Sequence, residues 1–599
     1  MKSLKYIVCS LGLMALTFTS CGDSFLDQQP DERIEIKTVD QVIDLLVSSY
    51  STANYGWVCE LTSDNFMDNN APHYPANPNS TQVLVRYNLS SYERMDDELF
   101  RFEQVQSSTG TDSPSSIWEN TYSAIATANH ALVYLDEIEA DMKNNPEKFG
   151  DNLASTREKL NAARGEALLI RAYYHFILVN IFSQVYKDEE ASKKDMGIPY
   201  ITEPEDRVLV NYDRGTVTGT YAKIREDMEA GLKLVNNSIY ERPKWHFNLN
   251  AAHAFAARFY LFTREYDKVI EHANAVLGTD YATLPSMLMD YSGFDDCTYS
   301  DDYANVWQNA SLNNNIMLVA TYSTQWRRSV GRRYSETSSA LRDIMYHLGP
   351  NWRWYVCPTG YVAGMTFYSG NQDYGFASSK IAETFQYTDK VAGIGYAHVI
   401  RREFTCTELL LERAEAKLLK ANPDIDGAIN DIIAYDNSRW TFSDENKRTF
   451  FANNALTYLT RADIESYYPN VKNSNCFADW NFTQHVSSSF VVPANVVPYM
   501  NAINDMRRFE LNFEGMRFFD LKRWGIEWSH VYGPDEIEYK MTWDDPRRAI
   551  EIPLEVQAAG LAASRPLVAP VPDSTYVQSL ELEYKRELSK EVKKYEIIV

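Results

Sequence analysis

The sequence predicts a mainly α-helical protein, in which a scaffold of tetratricopeptide-like helix pairs carries a large, irregular and loop-rich insertion. Three observations support this fold class. Apolar side chains recur at three- and four-residue spacing through several long segments, which is the period of an amphipathic helix. Small residues gather on some of these faces and would let helices approach closely. One central stretch loses the periodicity and becomes rich in Gly, Asn, Ser and aromatic residues.

The predicted helices follow one another along the chain. They cover residues 39–50, 118–138, 157–182, 218–236, 250–277, 405–420, 424–436 and 504–524. The segment 250–277 contains a short turn at 263–266, with small residues before it and Tyr266-Asp267 at its end. This order resembles a tetratricopeptide helix pair, although no strict repeat of about 34 residues is visible. A generic helical bundle is the alternative.

The N-terminus has the pattern of an export signal. Lys2 and Lys5 precede an apolar run over 6–18, and small residues then lead directly into Cys21. The junction resembles a bacterial lipobox, so we predict a lipoprotein signal peptide over 1–20, acylation of Cys21 and a tether over 21–35. The alternative is an ordinary secreted protein with a buried Cys21.

The rest of the chain divides by composition. We predict the helical scaffold over 36–280, with an aromatic, Pro-broken loop at 64–111, and the loop-rich ligand-binding insertion over 281–400. A C-terminal helical part follows over 401–525. The segment 526–599 contains five prolines from Pro546 onward and is expected to wrap over the body as an irregular tail.

Charge and composition exclude several classes of partner. Lys plus Arg number 58 and Asp plus Glu number 82, which gives a formal net charge of −24. Such a chain is poorly suited to bind nucleic acid or to dock electrostatically on anionic lipid. Its seven widely spaced cysteines, with no C-x-x-C pair, predict neither a zinc module nor a disulfide framework. Aromatic residues reach 13%, which favours a surface where flat rings meet a partly polar ligand.

No catalytic motif of a metalloprotease, a serine hydrolase or a P-loop enzyme is present. A secreted glycosidase would need two carboxylates about 5–10 Å apart. Glu510 and Glu514 lie one helical turn apart, but nearby arginines predict a structural ion-pair network that keeps both ionised. The sequence therefore predicts no enzyme, no cofactor and no metal ion. We interpret one acidic cluster as a solvated loop and not as a metal site. It consists of Asp295, Asp296, Asp301 and Asp302.

Four blocks of sequence then point to a known family. They are CGDSFLD from Cys21, GEALLIRAYYHF from Gly165, ELLLERAEA from Glu408 and ELNFEGMRFFDLKRW from Glu510. In this order they resemble the SusD/RagB family of outer-membrane lipoproteins. The last block matches that family's signature E-L-x-F-E-G-x-R-x-x-D-L-x-R-W almost letter for letter. The C-terminus departs from the Asn-Pro and Gln-Asn-Pro-Gly rich ending that is usual in the family, so the wrapping of the last 50 or so residues stays open.

The resemblance implies a helical scaffold that caps a TonB-dependent SusC-type transporter and delivers captured nutrient to it. The implied location is the surface of the outer membrane, with a lipid anchor on Cys21. The implied ligands are most often glycans and sometimes oligopeptides, and no catalysis is implied. The alternatives are an oligopeptide-binding RagB-like uptake lipoprotein and, from another class, a secreted glycosidase.

The family has no fixed ligand motif, so the ligand site is predicted from the residues. A glycan binder needs flat ring platforms bordered by hydrogen-bonding side chains. Segments with these residue types occur in the insertion and in the early loop. They predict the following ligand-binding residues: Asn70, Tyr74, Tyr299, Trp326, Asn351, Trp352, Arg353, Trp354 and Tyr368. In an extended segment, Trp352 and Trp354 would lie on one face as a stacking pair. Each of these rings could instead belong to the core.

The stretch from Trp326 to Arg333 contains four arginines, at positions 327, 328, 332 and 333. They could select an acidic glycan, because a guanidinium matches a carboxylate or sulfate in bidentate geometry. The favoured interpretation is that they pair with carboxylates of the protein itself.

Overall fold

The computed structural model describes most of the chain between residues 36 and 565. The described residues are 36–72, 89–90, 92–205, 212–294, 297, 299–329, 332–337, 340, 344, 365–367, 376–438, 458–470, 481–484 and 486–565. Several predictions lie outside them: the signal peptide 1–20, Cys21 with the tether 21–35, the ligand residues Tyr74, Asn351, Trp352, Arg353, Trp354 and Tyr368, and the end of the tail after 565.

Helices dominate the described residues, as the periodicity predicts. The N-terminal helices are α1 (Val39–Leu46), α2 (Gly56–Leu61), α3 (Arg94–Phe100), α4 (Pro114–Asn144), α5 (Leu153–Phe182), α6 (Val217–Leu234), α7 (Leu249–Phe262) and α8 (Tyr266–Leu277). The later helices are α9 (Ser300–Trp307), α10 (Gln325–Ser329), α11 (Cys406–Leu419), α12 (Ile425–Ser438), α13 (Arg461–Tyr467), α14 (Val497–Glu510), α15 (Met516–Trp524) and α16 (Leu554–Ala558).

Capping residues explain where the long helices begin. The hydroxyl of Ser113 accepts a hydrogen bond from the backbone of Ser116, and Pro114 occupies the first turn of α4. Thr216 caps α6 and Thr405 caps α11 in the same way. Because these side chains satisfy backbone N–H groups that the helix itself leaves unpaired, each start is fixed by the local sequence.

The helices pack as neighbouring pairs around one apolar core. Helix α4 lies on α5, α5 on α6, α7 on α8, and α8 on α11. Gly165 and Gly231 set the α5–α6 distance: a Cβ at Gly165 would lie 2.5 Å from the backbone nitrogen of Val235, and one at Gly231 would lie 2.8 Å from the carbonyl oxygen of Gly165. Only glycine allows this approach, so the two helices pack backbone against backbone.

The segment predicted as an irregular insertion also contributes a sheet. Strands β2 (Asn315–Tyr322), β6 (Thr384–Asp389) and β7 (Ile394–Thr405) form an antiparallel sheet in the order β2-β7-β6. The other strands are β1 (Met67–Asp68), β3 (Tyr334–Ser335), β4 (Met365–Phe367), β5 (Phe376–Ser378), β8 (Trp528–Tyr532) and β9 (Ile537–Met541). They pair antiparallel as β1–β3, β4–β5 and β8–β9.

The prediction of one helix over 504–524 is wrong. Helix α14 ends at Glu510, and α15 begins after Gly515, whose φ of +80° is left-handed. A Cβ at Gly515 would lie 3.0 Å from the Cα of Gly56. The glycine therefore both breaks the helix and admits α2 against the break.

Buried ion pairs join the start of the chain to its C-terminal helices. Asp64 accepts two hydrogen bonds from Arg517, at 2.7 and 2.8 Å, and lies 3.7 Å from Arg508. Burial alone would raise the pKa of Asp64, but the charges of Arg508 and Arg517 outweigh burial and lower this pKa to about 2. Glu60, on α2, accepts the backbone N–H of Gly515 at 2.8 Å.

An ion-pair network does surround Glu510 and Glu514, but most of its pairs are not the expected ones. The carboxylate of Glu514 contacts Arg402. Arg507 pairs with Asp520 at 2.9 Å. The side chains of Glu510 and Glu514 are buried, with exposed fractions of 1% and 9%, so neither stands in an open cleft.

Within the described ranges, no helix combines the length and the apolar character needed to cross a membrane. The same residues contain no group of three or more His, Cys, Asp or Glu side chains arranged to hold a metal ion. Of the described cysteines, Cys59 and Cys406 are buried free thiols.

Candidate functional site

An exposed aromatic hairpin projects from the body where β6 and β7 meet. Every residue of β6 is exposed, and the following turn exposes Val391 completely. The rings of Tyr387 and Tyr396 have exposed fractions of 52% and 51%, and that of Phe385 has 44%. Large rings displayed together on solvated strands are unusual for a surface without a partner, so we define the aromatic hairpin as residues 384–398 and treat it as a candidate binding surface.

The strand register sorts these rings onto the two faces of the hairpin. Tyr396 is opposite Gln386, and His398 is opposite both Thr384 and Tyr322. Because side chains alternate along a strand, Tyr396, His398 and Tyr322 share one face. The rings of Tyr322 and Tyr396 stack with centroids 4.7 Å apart and planes 27° apart, and the Tyr322 and His398 centroids are 5.6 Å apart.

Phe385 and Tyr387 occupy the other face. Their ring centroids are 4.9 Å apart in an edge-to-face arrangement. A Cβ at Gly395 would lie 2.8 Å from the Phe385 ring and 2.1 Å from the carbonyl oxygen of Gln386. The absence of a side chain at Gly395 therefore lets the Phe385 ring lie over the neighbouring strand.

The base of the aromatic hairpin is fixed to the helical body. The guanidinium of Arg327 pairs in bidentate fashion with Glu383, at 2.7 and 2.9 Å. Tyr322 donates its backbone N–H to the carbonyl oxygen of Thr52 at 2.7 Å. Burial lowers the pKa of His398, so this imidazole is neutral at physiological pH. The rings therefore stand on a rigid support, which limits the entropy lost when a ligand orders them.

Two of the predicted ligand residues lie near this region. Trp326, on α10, is half-buried and packs against the core, next to the Arg327 that binds the base of the aromatic hairpin. Tyr299 precedes α9 and is the most exposed of the predicted rings that the structure describes, at 73%. Helix α9 packs on the turn Ser379–Ile381, which leads into β6.

Asn70 has a different environment. Its side-chain amide donates to the carbonyl oxygen of Leu89 at 2.9 Å and accepts the N–H of Leu89 at 2.7 Å. Both hydrogen-bonding groups of Asn70 thus tie the two ends of the early loop together. The pairing of β1 with β3 then joins this loop to the insertion, with Met67 opposite Ser335. The structure therefore joins the start of the early loop to the segment that follows α10.

The arginines after Trp326 bind the protein's own carboxylates, which confirms the favoured interpretation for three of the four. Arg328 contacts Asp96 at 3.3 Å and also contacts Glu93. Arg333 binds Asp68 at 2.9 and 2.7 Å. Together with the Arg327–Glu383 pair, these contacts pair three of the four guanidinium groups with carboxylates of the protein. An acidic glycan would have to compete with those carboxylates.

The sequence prediction missed the rings of the aromatic hairpin. A detectable signal was present: Phe385, Tyr387 and Tyr396 alternate with polar or small residues on either side of a Gly-containing turn at 390–393, which is a hairpin pattern. Tyr322 carried no such signal, because it ends a buried strand.

Two family models match the chain. One, described as starch-binding associating with the outer membrane, matches residues 24–261, and the other, described as the SusD family, matches residues 278–551. The chain belongs to the SusD family. This family is associated in general with carbohydrate binding, with SusC-type transporters and with the outer membrane. None of the curated proteins compared with the chain matches it.

Solved structures of the SusD superfamily share the fold. One from Bacteroides vulgatus is 16% identical, with a TM-score of 0.52 over 89% of this chain and 100% of its own. One from Bacteroides thetaiotaomicron is 17% identical, with a TM-score of 0.51 over 88% and 100%. A SusD-like carbohydrate binding protein from Bacteroides vulgatus is 14% identical, with a TM-score of 0.50 over 89% and 99%. At these identities the likeness establishes the fold.

Proposed function

We propose that this SusD-family protein captures glycans at the cell surface without cleaving them and passes them to a TonB-dependent SusC-type transporter. The observation that carries the proposal is the aromatic hairpin, where Tyr396 is stacked on Tyr322 and still exposes half of its surface. Sugars present apolar C–H faces that pack on such rings, while their hydroxyl groups keep contact with water. Stacking of this kind holds a ligand reversibly.

Non-catalytic capture is supported by the surroundings of three glutamates. Glu383 is engaged by Arg327 at the base of the aromatic hairpin, and Glu510 and Glu514 lie inside the protein. A retaining or inverting glycosidase would need two carboxyl groups facing a bound sugar. We therefore expect no turnover of any glycan that binds.

Binding can be tested with the mature protein in affinity gels and by calorimetry against a panel of polysaccharides. The Tyr396→Ala variant should weaken binding of the responsive glycan about 5- to 30-fold, because the loss of a ring platform costs about 1–2 kcal/mol. The Tyr396→Phe variant keeps the ring and should bind nearly as the wild type does. The Tyr458→Ala variant, which removes another half-exposed ring just before α13, is the matched control and should bind normally.

The alternative function, oligopeptide uptake by a RagB-like protein, is separated by the same panel. If every glycan fails to bind and an oligopeptide library binds, the ligand class proposed here is wrong. If purified protein hydrolyses a glycan, the proposal of non-catalytic capture is wrong, and loss of that activity in a Glu514→Gln variant would identify the acid responsible.

Anchoring and partner are part of the proposal. We expect acylated Cys21 to hold the protein on the outer membrane, so a Cys21→Ser variant should leave the membrane fraction while the wild type stays in it. We also expect a SusC-type transporter to co-purify with the wild type after mild detergent extraction. Absence of any transporter from that preparation would contradict the delivery role.

A further inference from the structure

A cavity lies in the helical scaffold, and none of its lining residues belongs to the aromatic hairpin. Its volume is about 290 Å³. Trp118 and Tyr122 of α4 line one side, Glu203 and Glu205 of the loop after α5 line another, and Leu561, beyond α16, lines a third. This is the lower end of the size range for small-ligand pockets, so the cavity fits a small molecule or one long side chain.

The aromatic wall of this cavity is held in place by its neighbours. Trp118 and Tyr122 are one helical turn apart, and their ring centroids lie 4.9 Å apart. The Trp118 ring also packs edge-on against Phe182 at 5.1 Å. The hydroxyl of Tyr122 donates to the carbonyl oxygen of Pro199 at 2.8 Å. The two rings are thus fixed before any ligand arrives.

The charged groups of the cavity are all acidic. Its lining residues, every one of them described by the structure, include Glu203 and Glu205 and no Lys or Arg. Among the described residues, no ion pair uses either carboxylate. The hydroxyl of Tyr212 donates to Glu205 at 2.5 Å. Burial and the Glu205 carboxylate raise the pKa of Tyr212 to about 12, so this hydroxyl stays protonated and committed to that bond.

One arginine lies behind the aromatic wall, but it is fully occupied there. Arg214 is buried and donates to the carbonyl oxygens of Gly197, Phe182 and Ala562. Its charge also interacts with Glu551. Arg214 therefore supports the backbone around the cavity and does not enter the lining.

The balance of donors and acceptors selects the ligand. The Tyr122 and Tyr212 hydroxyls already donate to protein oxygens, which leaves the Glu203 and Glu205 carboxylates as acceptors and the aromatic rings as apolar surface. A neutral sugar could donate its hydroxyl hydrogens to Glu203 and Glu205 but would leave their negative charge unbalanced, and an anion would be repelled by them. A cation has neither problem, because it brings only donors or polarised methyl groups and is attracted to ring faces.

We propose that this cavity binds an organic cation, with its ammonium group against the Trp118 and Tyr122 rings and its charge balanced by Glu203 and Glu205. A quaternary ammonium of a small molecule and the side-chain ammonium of a basic peptide or protein share this chemistry. The proposal does not depend on glycan capture, because the two sites have no residue in common.

The test compares two probes of the same shape. Choline and its uncharged analogue 3,3-dimethyl-1-butanol differ at the site in charge alone, and calorimetry on the full mature protein measures both. We expect choline to bind at least about tenfold more tightly, since cation–π attraction and the carboxylates act only on the charged probe. Equal affinity for the two probes, or no binding of choline, overturns the proposal unless the lysine probe described next binds.

Variants locate the binding site, and a third probe identifies the source of the ligand. Glu203→Gln and Glu205→Gln should each weaken choline binding about 3- to 10-fold and leave the alcohol unaffected, whereas Glu147→Gln, an exposed acid in another loop, should change neither. Nα-acetyl-lysine amide tests the peptide source: tighter binding than choline assigns the cavity to a basic segment, and weaker binding assigns it to a small quaternary ammonium. If Glu203→Gln and Glu205→Gln both leave cation binding unchanged, the assignment to this cavity is wrong.

Discussion

Replacing Asp64 by Asn should destabilise the protein more than any substitution of a surface acid. The carboxylate receives two hydrogen bonds from Arg517 and also faces Arg508, and all three groups are buried. An amide in its place removes the negative charge that Arg517 and Arg508 share at this point. Removal of one partner from a buried pair of this kind costs about 3–5 kcal/mol in the free energy of unfolding.

The pKa of Asp64 gives a second estimate from the same geometry. Its pKa falls from 3.8 in the unfolded chain to about 2 in the folded one. That difference contributes on the order of 2 kcal/mol of stability at neutral pH, at about 1.4 kcal/mol for each pKa unit. Since the folded pKa is the lower one, this contribution is present above about pH 4 and is lost as the pH falls through about 2.

Urea unfolding of the mature protein at pH 7 and near pH 3, followed by tryptophan fluorescence, measures both effects. Asp136→Asn is the matched control: Asp136 pairs with Arg164 at the surface, with 67% of its side chain exposed, and should change the stability by less than about 0.5 kcal/mol. The difference in the free energy of unfolding between the wild type and the Asp64→Asn variant should be smaller at the lower pH. If the Asp64→Asn variant is as stable as the control at pH 7, the inferred role of the buried pair is wrong.

The remaining predictions also concern buried groups. Burial raises the pKa of Glu336 to about 8, and its carboxyl group is hydrogen-bonded by Asn512, so the folded state favours the protonated form. The contribution of Glu336 to stability should therefore be lost as the pH rises from about 4.5 to 8, so the stability of the wild type relative to a Glu336→Gln variant should fall between pH 5 and pH 8 in urea titrations; parallel profiles would contradict this. Gly515→Ala should cost about 1–3 kcal/mol, because φ is +80° and the added Cβ would lie 3.0 Å from the Cα of Gly56. A thermal melt that matches the wild type would refute the need for glycine there.

Local sequence predicts the helices because each carries its own information. The apolar stripes of α4 to α8 recur with the helical period, and Ser113, Thr216 and Thr405 mark three starts by capping. Periodicity failed at Gly515, where apolar residues continue in register although the backbone turns. The φ of that residue depends on the approach of Gly56, which is distant in sequence.

The candidate site was less accessible to sequence reasoning. The alternating rings of β6 indicate a hairpin, but an alternating strand normally buries its apolar face, and β6 is exposed on both faces. The stacking of Tyr322 on Tyr396 depends on a pairing across 74 positions, from the register of β2 with β7. The partners of Arg328 and Arg333 lie in the N-terminal part of the chain. The sequence around these two arginines therefore does not show that they are paired.

The contact of Asp64 and Glu60 with the C-terminal helices has a consequence for recombination between relatives. The family models match two separate stretches of the chain, 24–261 and 278–551. The gap between these stretches suggests a position at which relatives could exchange halves. Contacts in the fold cross this gap, because α2 and the loop after it are hydrogen-bonded to α15 and to the glycine that precedes it. A viable chimera would have to carry residues 56–64 along with the C-terminal half, because any crossover between Asp64 and Arg517 would otherwise separate the two members of this buried pair.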